Sequence, residues 1–366
     1  MKKFLLLVLM FVSAFFLFAC EEAEEKVPQI DVFFYTYDDT YIGSVRDAME
    51  TEFKALEKDG LLKYTFYDGE NSQTTQTEQI DTALSKGSDL LIVNIVTTGS
   101  EEAAQNIVDK AKEKGIPLIF FNREVSDAVV KSYKKCVFVG TDADEAGYMQ
   151  GQMIAEFLLE EGNLEKYDLD DDKEIKYVMF RGELGNAEAF GRTKYSVQEA
   201  NRLLEAADSE YRLVPSPANS TDNSQPDDGI SRFYLYGNWS ATTAKDLMDT
   251  ALTTYELTTG DIEIIIANND DQALGAIEAI NEEGYNKTDS GAKYIPVFGV
   301  DATTVAVDAI RNNKMTGTIK QDAVAMAKGI IALGKNITGI AFDLTQFNVD
   351  KDVNKVRIPY GIYTGE

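Results

Sequence analysis

Histidine is absent from all 366 residues of the sequence. It is the usual general base near neutral pH, a member of the Ser-His-Asp and Cys-His catalytic arrangements, and a common zinc ligand. Its absence excludes those enzyme classes and His-ligated zinc. No G-x-x-x-x-G-K-[ST] motif is present, and no G-x-G-x-x-G motif follows a predicted strand, so the common phosphate-binding loops are missing as well.

Basic residues are few, with 35 Lys and Arg against 62 Asp and Glu and a formal charge of −27. Such an acidic surface repels phosphate backbones and anionic lipids, so we expect no nucleic-acid partner and no basic membrane-binding face. Hydrophobic residues make up 44% of the chain, which is typical of a folded protein. Because a single core rarely grows beyond about 250–300 residues, the length predicts two lobes.

Cysteine is also scarce, with two residues in the chain. One of them, Cys136, precedes the apolar residues 137–139 and is predicted to be a small core residue. Two cysteines cannot form a disulfide framework.

The other cysteine, Cys20, follows a segment with the pattern of a secretory signal. Two lysines precede an apolar run over residues 4–19, which at about 1.5 Å per residue is too short for a ~30 Å hydrocarbon core. The run ends Leu-Phe-Ala-Cys, which resembles a bacterial lipobox. We expect a signal peptide over residues 1–19, a lipid on Cys20 and a solvated tether over 20–28. The exported protein would then be a periplasmic or cell-envelope lipoprotein that touches the membrane only through this lipid.

Beyond the tether, short apolar strands alternate with segments of helical periodicity. Leu90–Val93 is apolar throughout, as expected of a parallel strand that is covered on both faces. A second series of strands and helices starts near residue 177, after the acidic segment 160–174, and contains a polar stretch over 215–230 that is typical of a surface loop. The pattern predicts an α/β protein with two doubly wound parallel-sheet lobes.

Polar clusters follow four of the predicted strands, at residues 37–41, 120–124, 268–271 and 298–301. Ligands of open α/β sheets bind at the carboxyl ends of strands, so the four clusters are expected to face one crevice. A helix cap explains any single Asn or Asp in these clusters equally well. Four clusters at equivalent positions favour a binding cleft.

Seven motifs, taken in order, resemble those of the bacterial periplasmic galactose/glucose-binding protein family, the substrate-binding components of ABC sugar importers. They are Tyr-x-Tyr-Asp-Asp, Phe-Phe-Asn-Arg-Glu, Val-Gly-Thr-Asp, Arg-Gly-Glu-x-Gly, Ile-Ala-Asn-Asn-Asp, Pro-Val-Phe-Gly-Val-Asp-Ala and Arg-Ile-Pro-Tyr. The resemblance extends over residues 30–360. It implies two Rossmann-like lobes joined by a three-strand hinge, the type I periplasmic binding fold. The amino-terminal lobe would comprise residues 29–140 and 322–356, and the carboxy-terminal lobe 141–321 and 357–366.

The resemblance further implies that D-glucose, D-galactose or both bind between the lobes, that the lobes close on the sugar, and that an ABC permease receives it. The positions that match the family's ligand-binding residues are Asp39, Tyr41, Asn122, Asn186, Glu188, Arg192, Trp239, Asn269, Asp301 and Gln321. Aromatic rings at two of these positions, Tyr41 and Trp239, suit the apolar C–H faces of a pyranose. The matches to the positions that contact the 4-hydroxyl, where glucose and galactose differ, are Asp39 and Asn122.

Three of these positions depart from the family pattern. Asn186 stands where the family has His, Glu188 where it has Asp, and Gln321 where it has Asn. Each replacement keeps a hydrogen-bonding group but changes its length or its donors, and a misplaced polar group costs about 1–3 kcal/mol. The resemblance therefore implies a sugar site without fixing which sugar it prefers.

A calcium loop is also implied by the resemblance, at residues 168–176. Its ligands would be Asp168, Asp170, Asp172, Glu174 and, from a distant part of the chain, Glu263. Oxygen ligands at alternating positions suit Ca²⁺, but Lys173 replaces the turn glycine and Lys176 stands at the ninth ligand position. Three alternatives stay open: one structural Ca²⁺, the Lys176 ammonium in its place, or a solvated acidic loop. Sugar binding itself requires no cofactor.

The resulting hypothesis is a monomeric binding protein that is not an enzyme. A first alternative is an enzyme that acts on sugars through the carboxylates of Asp39 or Glu188. A second is a sensory receptor that signals to a chemotaxis receptor or a kinase instead of supplying a transporter. The absence of histidine agrees with binding without catalysis, whereas the sequence does not separate transport from sensing.

Overall fold

The computed structural model describes residues 26–288, 293–335, 349–350 and 352–365. The predicted signal peptide and Cys20 lie outside these residues. Within the described ranges, no helix has the length and apolar character needed to cross a bilayer.

The first sheet has the strand order β13-β14-β5-β4-β3-β1-β2. Its strands are β1 (Gln29–Phe34), β2 (Lys63–Asp68), β3 (Leu90–Val93), β4 (Leu118–Phe121), β5 (Cys136–Gly140), β13 (Val349–Asp350) and β14 (Lys355–Arg357). The helices between them are α1 (Thr40–Lys58), α2 (Gln73–Lys86), α3 (Glu101–Lys114) and α4 (Asp127–Lys131). The pairs are parallel except for β13 with β14.

The second sheet has the order β15-β12-β11-β10-β6-β9-β8, and β7 also pairs with β6. Its strands are β6 (Glu174–Arg181), β7 (Arg212–Pro215), β8 (Ser220–Thr221), β9 (Phe233–Tyr236), β10 (Ile264–Ala267), β11 (Val297–Asp301), β12 (Gly317–Gln321) and β15 (Tyr360–Tyr363). The accompanying helices are α5 (Ala143–Leu159), α6 (Asn163–Tyr167), α7 (Ala187–Ala206), α8 (Ala241–Leu252), α9 (Asp270–Glu282), α10 (Thr304–Arg311) and α11 (Ala323–Lys335).

Each lobe has apolar side chains on both faces of its sheet. Every residue of β3, β4 and β5 is buried, because helices cover both faces of these parallel strands. The predicted doubly wound α/β fold with two lobes is confirmed. Cys136 is buried at the start of β5, and burial raises the pKa of its thiol to about 12.

The chain passes between the two sheets three times. The first crossing, at residues 141–142, connects β5 to α5. The second, at residue 322, connects β12 to α11, which packs on α1 of the first lobe. The third, at residues 358–359, connects β14 to β15. Parallel strands end at the same edge of a sheet, so this arrangement brings the carboxyl ends of both sheets towards one cleft.

Two segments for which the sequence predicted no helix or strand, residues 160–174 and 215–230, contain short elements in the structure. The acidic segment contains the short helix α6, and the stretch predicted as a surface loop contains β8, which pairs antiparallel with β9. Neither has a sequence pattern of its own. β8 is formed by two exposed polar residues that are held in place by the aromatic strand beside them.

Candidate sugar-binding site

A cavity lies between the lobes, at the carboxyl ends of strands from both sheets, where ligands of open α/β sheets bind. All ten ligand-binding positions implied by the sequence line it. The lining residues are Tyr35, Asp39, Tyr41, Ile42, Asn122, Arg123, Asn186, Glu188, Arg192, Trp239, Asn269, Asp301 and Gln321. The structure thus brings together side chains from distant parts of the chain, from Tyr35 to Gln321.

Three of the polar lining residues are also helix N-caps. One side-chain oxygen of Asp39, Asn186 and Asn269 accepts a hydrogen bond from the backbone N–H three residues later, at 2.7, 3.1 and 3.0 Å. These bonds begin α1, α7 and α9. In the sequence, each of these residues could be explained either as a helix cap or as part of a binding cleft. In the structure each one is a helix cap that also lines the cavity, and the cap hydrogen bond holds its side chain at the cavity wall.

The backbone is strained at three lining residues. Asn122, Trp239 and Asp301 have backbone φ values of 61°, 65° and 123°, which residues other than glycine rarely adopt. The buried Asn94 supports the first of them, because its Nδ2 donates to Phe121 O at 3.1 Å and to Asn122 Oδ1 at 3.3 Å. Strain of this kind is concentrated at ligand sites, where the surrounding structure holds it.

The two aromatic positions, Tyr41 and Trp239, both line the cavity. Tyr41 is almost fully buried, and its hydroxyl faces the sulfur of Met326 at 3.7 Å. The indole of Trp239 lies directly over Gly182, where a Cβ atom would approach ring atom Cζ2 to 2.3 Å. The glycine therefore provides the space that the indole occupies.

Arg192 is a buried cation at the cavity wall. Its Nη1 donates to the backbone oxygen of Asn268 at 2.8 Å, and its Nη2 donates to Glu188 Oε2 at 3.2 Å and Gln321 Oε1 at 3.3 Å. Asp301 Oδ1 lies 3.7 Å from Nη1. Burial alone would lower the pKa of the guanidinium, but the facing Tyr360, Glu188 and Asp301 raise it overall, so the group stays charged.

Glu188 connects the cavity to the hinge. Its Oε1 accepts a hydrogen bond from Thr141 Oγ1 at 3.0 Å, and its Oε2 accepts one from the Tyr360 hydroxyl at 2.9 Å. Gln321 Nε2 donates to the same threonine oxygen at 3.3 Å. Thr141, Gln321 and Tyr360 lie at or beside the first, second and third crossings, so a single hydrogen-bond network joins all three to the site.

Two buried aspartates of the second lobe have raised pKa values. Burial raises the pKa of Asp301 well above its usual range, while Arg192 acts in the opposite direction. Burial also raises the pKa of Asp270 to about 7, against the hydrogen bonds from Thr318 and Thr303. Of the two residues, Asp301 lines the cavity and faces Arg192, whereas Asp270 lies outside the cavity lining.

Two guanidinium groups at the cavity keep N–H donors without a protein partner among the described residues. These are Nε of Arg192 and Nε and Nη1 of Arg123, all of them buried. Buried donors without an acceptor are costly. A ligand with several oxygen atoms would supply the acceptors.

Three lining residues, Tyr35, Ile42 and Arg123, are not among the positions implied by the sequence. The guanidinium of Arg123 lies 4.0 Å from the ring centroid of Tyr35, whose hydroxyl donates to Asp39 Oδ2 at 2.8 Å. The sequence carried a signal for Arg123, which directly follows Asn122 within the polar cluster at residues 120–124. Ile42 carried no signal, since its helical spacing predicts a core residue.

The residues of the implied calcium loop lie in the second lobe. Carboxylate oxygens of Asp168, Asp170 and Asp172 lie within 4.8 Å of one another. Glu263 is buried beside them, and its Oε1 accepts from the backbone N–H of Leu169 at 2.6 Å.

Glu174 does not join this cluster through its side chain, because it forms an ion pair with Arg212. The structure thus brings three of the five implied calcium ligands within 4.8 Å of one another, while Glu263 accepts hydrogen bonds from the backbone of the same loop and of β6.

A cleft between two α/β lobes, lined by aromatic rings and buried polar groups, is the architecture of a receptor for a small polar ligand. The model of the protein family described as "Periplasmic binding protein domain" matches residues 30–339 of the chain. The chain therefore belongs to the periplasmic binding protein family, which confirms the resemblance in the sequence. It is a periplasmic sugar-binding protein and not an enzyme.

Individual relatives agree with this assignment. The chain is 34% identical over 337 residues to the D-galactose/methyl-galactoside binding periplasmic protein of Haemophilus influenzae, covering 91% of this chain and 88% of the relative. Among solved structures, it is similar to an ABC transporter solute binding protein from Bacillus halodurans with bound myo-inositol (TM-score 0.69, 24% identity, 94% and 96% covered). It also resembles one from Clostridium phytofermentans with bound β-D-glucose (TM-score 0.67, 20% identity, 92% and 94% covered).

Proposed function

We propose that the protein binds D-glucose, D-galactose or both in the interlobe cavity and delivers the sugar to an ABC importer. The observation that carries this proposal is the composition of the cavity wall, where two aromatic rings accompany buried polar groups from both lobes. A pyranose needs both features, since its C–H faces are apolar and its hydroxyls each donate and accept. The galactose-binding relative and the glucose-bound structural neighbour support the same choice.

The choice between the two hexoses concerns Asp39. Its Oδ1 accepts from the backbone of Ile42 and its Oδ2 accepts from the Tyr35 hydroxyl, and each oxygen keeps a further lone pair for a ligand. A fixed carboxylate with two oxygens can accept from an axial or an equatorial 4-hydroxyl. We therefore expect both epimers to bind.

The first test is titration calorimetry of the protein with glucose, galactose, allose, ribose, xylose and myo-inositol. We expect glucose and galactose to bind at least about tenfold more tightly than the other four, which corresponds to about 1.4 kcal/mol. Recovery of unchanged sugar after incubation is also expected. A pentose or myo-inositol as the tightest ligand would overturn the hexose assignment while leaving the family assignment intact.

Cellular placement is part of the proposal. We infer that Cys20 carries a lipid that holds the monomeric protein at the cell envelope, close to the permease that receives the sugar. Metabolic labelling with a fatty-acid probe, compared between the natural sequence and Cys20→Ala, tests this inference. A sensory role through a chemotaxis receptor uses the same closed surface, and transport of labelled sugar in a deletion strain distinguishes the two roles.

Closure of the lobes supplies a second prediction. Across the cleft, Thr40 Oγ1 donates to Asp271 Oδ2 at 2.7 Å, and Arg123 forms an ion pair with Glu183. These contacts exist only while the lobes are together, so they stabilise the closed form in which both halves of the cavity surround the ligand.

We expect Glu183→Gln to weaken hexose affinity by roughly tenfold, mainly through faster release, because it removes a rim ion pair without removing a lining residue. Stopped-flow fluorescence of Trp239 measures the release rate. The matched control is Asp227→Asn, which removes one charge of an ion pair with Arg232 inside the second lobe. Equal release rates for the two variants would contradict a role of the interlobe pair in closure.

A further inference from the structure

The ammonium group of Lys176 lies among the carboxylates of the acidic loop at residues 168–172. The Nζ atom of Lys176 donates to both carboxylate oxygens of Asp170, at 3.1 and 3.0 Å, and to Asp172 Oδ2 at 2.8 Å. An ammonium group has three N–H donors, so these three contacts use all of them. The lysine side chain is only 15% exposed and reaches the loop from the adjoining strand β6.

The remaining oxygens of the cluster accept hydrogen bonds from the backbone. The two oxygens of Asp168 accept from the N–H groups of Asp172 and Lys173, both at 3.1 Å. Those of Glu263 accept from the N–H groups of Leu169 and Lys176, at 2.6 and 2.7 Å.

The last oxygen, Oδ1 of Asp172, accepts from the N–H of Glu174 at 2.8 Å. Every oxygen of the four clustered carboxylates therefore has a donor supplied by the protein.

This arrangement does not fit a bound calcium ion. Ca²⁺ requires six to eight oxygen ligands at about 2.3–2.6 Å. The ammonium nitrogen lies 2.8–3.1 Å from oxygens of two of the implied ligands, Asp170 and Asp172, and would repel a metal placed between them. Lys176 stands at the ninth ligand position, where a calcium loop needs an oxygen.

We propose that the Lys176 ammonium takes the place of a calcium ion, so that the loop keeps its conformation without any divalent metal. The acidic residues then serve as acceptors for the lysine and for the loop backbone. The fold of the second lobe becomes independent of free calcium, in contrast to what the resemblance of the loop implies.

The test compares melting of the protein in EGTA with melting in excess CaCl₂, together with calorimetric titration of CaCl₂ into the metal-free protein. The protein with Lys176 is expected to show the same Tm in both conditions and no binding heat. Lys176→Gln removes the ammonium and offers an amide oxygen at the ninth position. We expect this variant to have a lower Tm in EGTA, and at 100 times its dissociation constant calcium should restore roughly 5–10 °C.

Two further variants serve as controls. Lys176→Met removes the ammonium without supplying an oxygen, so its Tm is expected to stay low in both conditions. Lys173→Gln changes a lysine of the same loop whose Nζ donates outward to the Tyr211 hydroxyl at 3.2 Å, and it should leave the calcium response unchanged.

Stoichiometric calcium binding with a raised Tm in the unsubstituted protein would overturn the proposal, and so would a Lys176→Gln variant whose Tm matches that protein in EGTA. If Lys176→Gln is recovered folded only from medium that contains calcium, the proposal is supported. If the variant does not fold in either medium, the measurement on the unsubstituted protein decides alone. All of these readouts are independent of sugar binding.

Discussion

Replacing Trp239 by alanine is expected to lower hexose affinity by at least about 100-fold, or about 2.7 kcal/mol, which lies within the range of dominant aromatic contacts. The substitution removes the ring that covers one face of the cavity and leaves the polar residues of both lobes in place. Titration calorimetry with glucose and galactose measures the effect. Unchanged affinity would refute the assigned cavity.

Three companion variants separate loss of the ring from general damage. Trp239→Phe keeps an aromatic face and should lose less affinity than the alanine variant. Gly182→Ala places a methyl group where the indole lies and should weaken binding, although Gly182 does not line the cavity. Tyr236→Ala removes an exposed ring from the neighbouring strand β9 and is expected to change affinity by less than about threefold.

Substitution of Arg192 by alanine should have the largest effect on stability. It leaves the buried Glu188 without its cation and removes the donors to Asn268 and Gln321. Breaking a buried ion pair on one side typically costs about 3–5 kcal/mol of unfolding free energy. Urea unfolding monitored by circular dichroism measures the loss, and sugar binding should disappear with it.

The same helix supplies the matched control. Arg202 pairs with Glu199 on the exposed side of α7, and Arg202→Ala should cost less than about 1 kcal/mol. Combining Arg192→Met with Glu188→Gln removes the stranded charge and should restore part of the stability without restoring binding. If Arg192→Ala and Arg202→Ala unfold at the same urea concentration, the buried network contributes nothing to stability.

Most of the fold could be predicted from local sequence because its strands are buried parallel strands. A run such as Leu90–Val93 is apolar on both faces, and its burial follows directly from that composition. The short strand β8 could not be predicted in this way. Its two residues are polar and exposed, and they form a strand only because β9 lies beside them.

The candidate site, too, could be predicted only in part from the sequence. The positions around the cavity could be inferred from the resemblance and from polar residues at strand ends, since both are features of the chain itself. The direction of Glu188 towards Thr141 and Tyr360 depends on contacts across 47 and 172 positions, which no local pattern encodes. For Lys176, the sequence left a calcium ion, the lysine ammonium and a solvated acidic loop as alternatives, and only the distances to Asp170 and Asp172 favour the ammonium.

The network through Glu188 has a consequence for how this receptor could change its ligand. In the proposed sugar site, Glu188 is hydrogen-bonded to Thr141 and Tyr360, and Gln321 to the same threonine, beside the crossings between the lobes. We therefore expect a substitution of Glu188 that favours another sugar to change the balance between the open and closed forms as well. Sugar preference and the open–closed equilibrium would have to evolve together. A biosensor engineered from this protein for another sugar would need both properties to be adjusted.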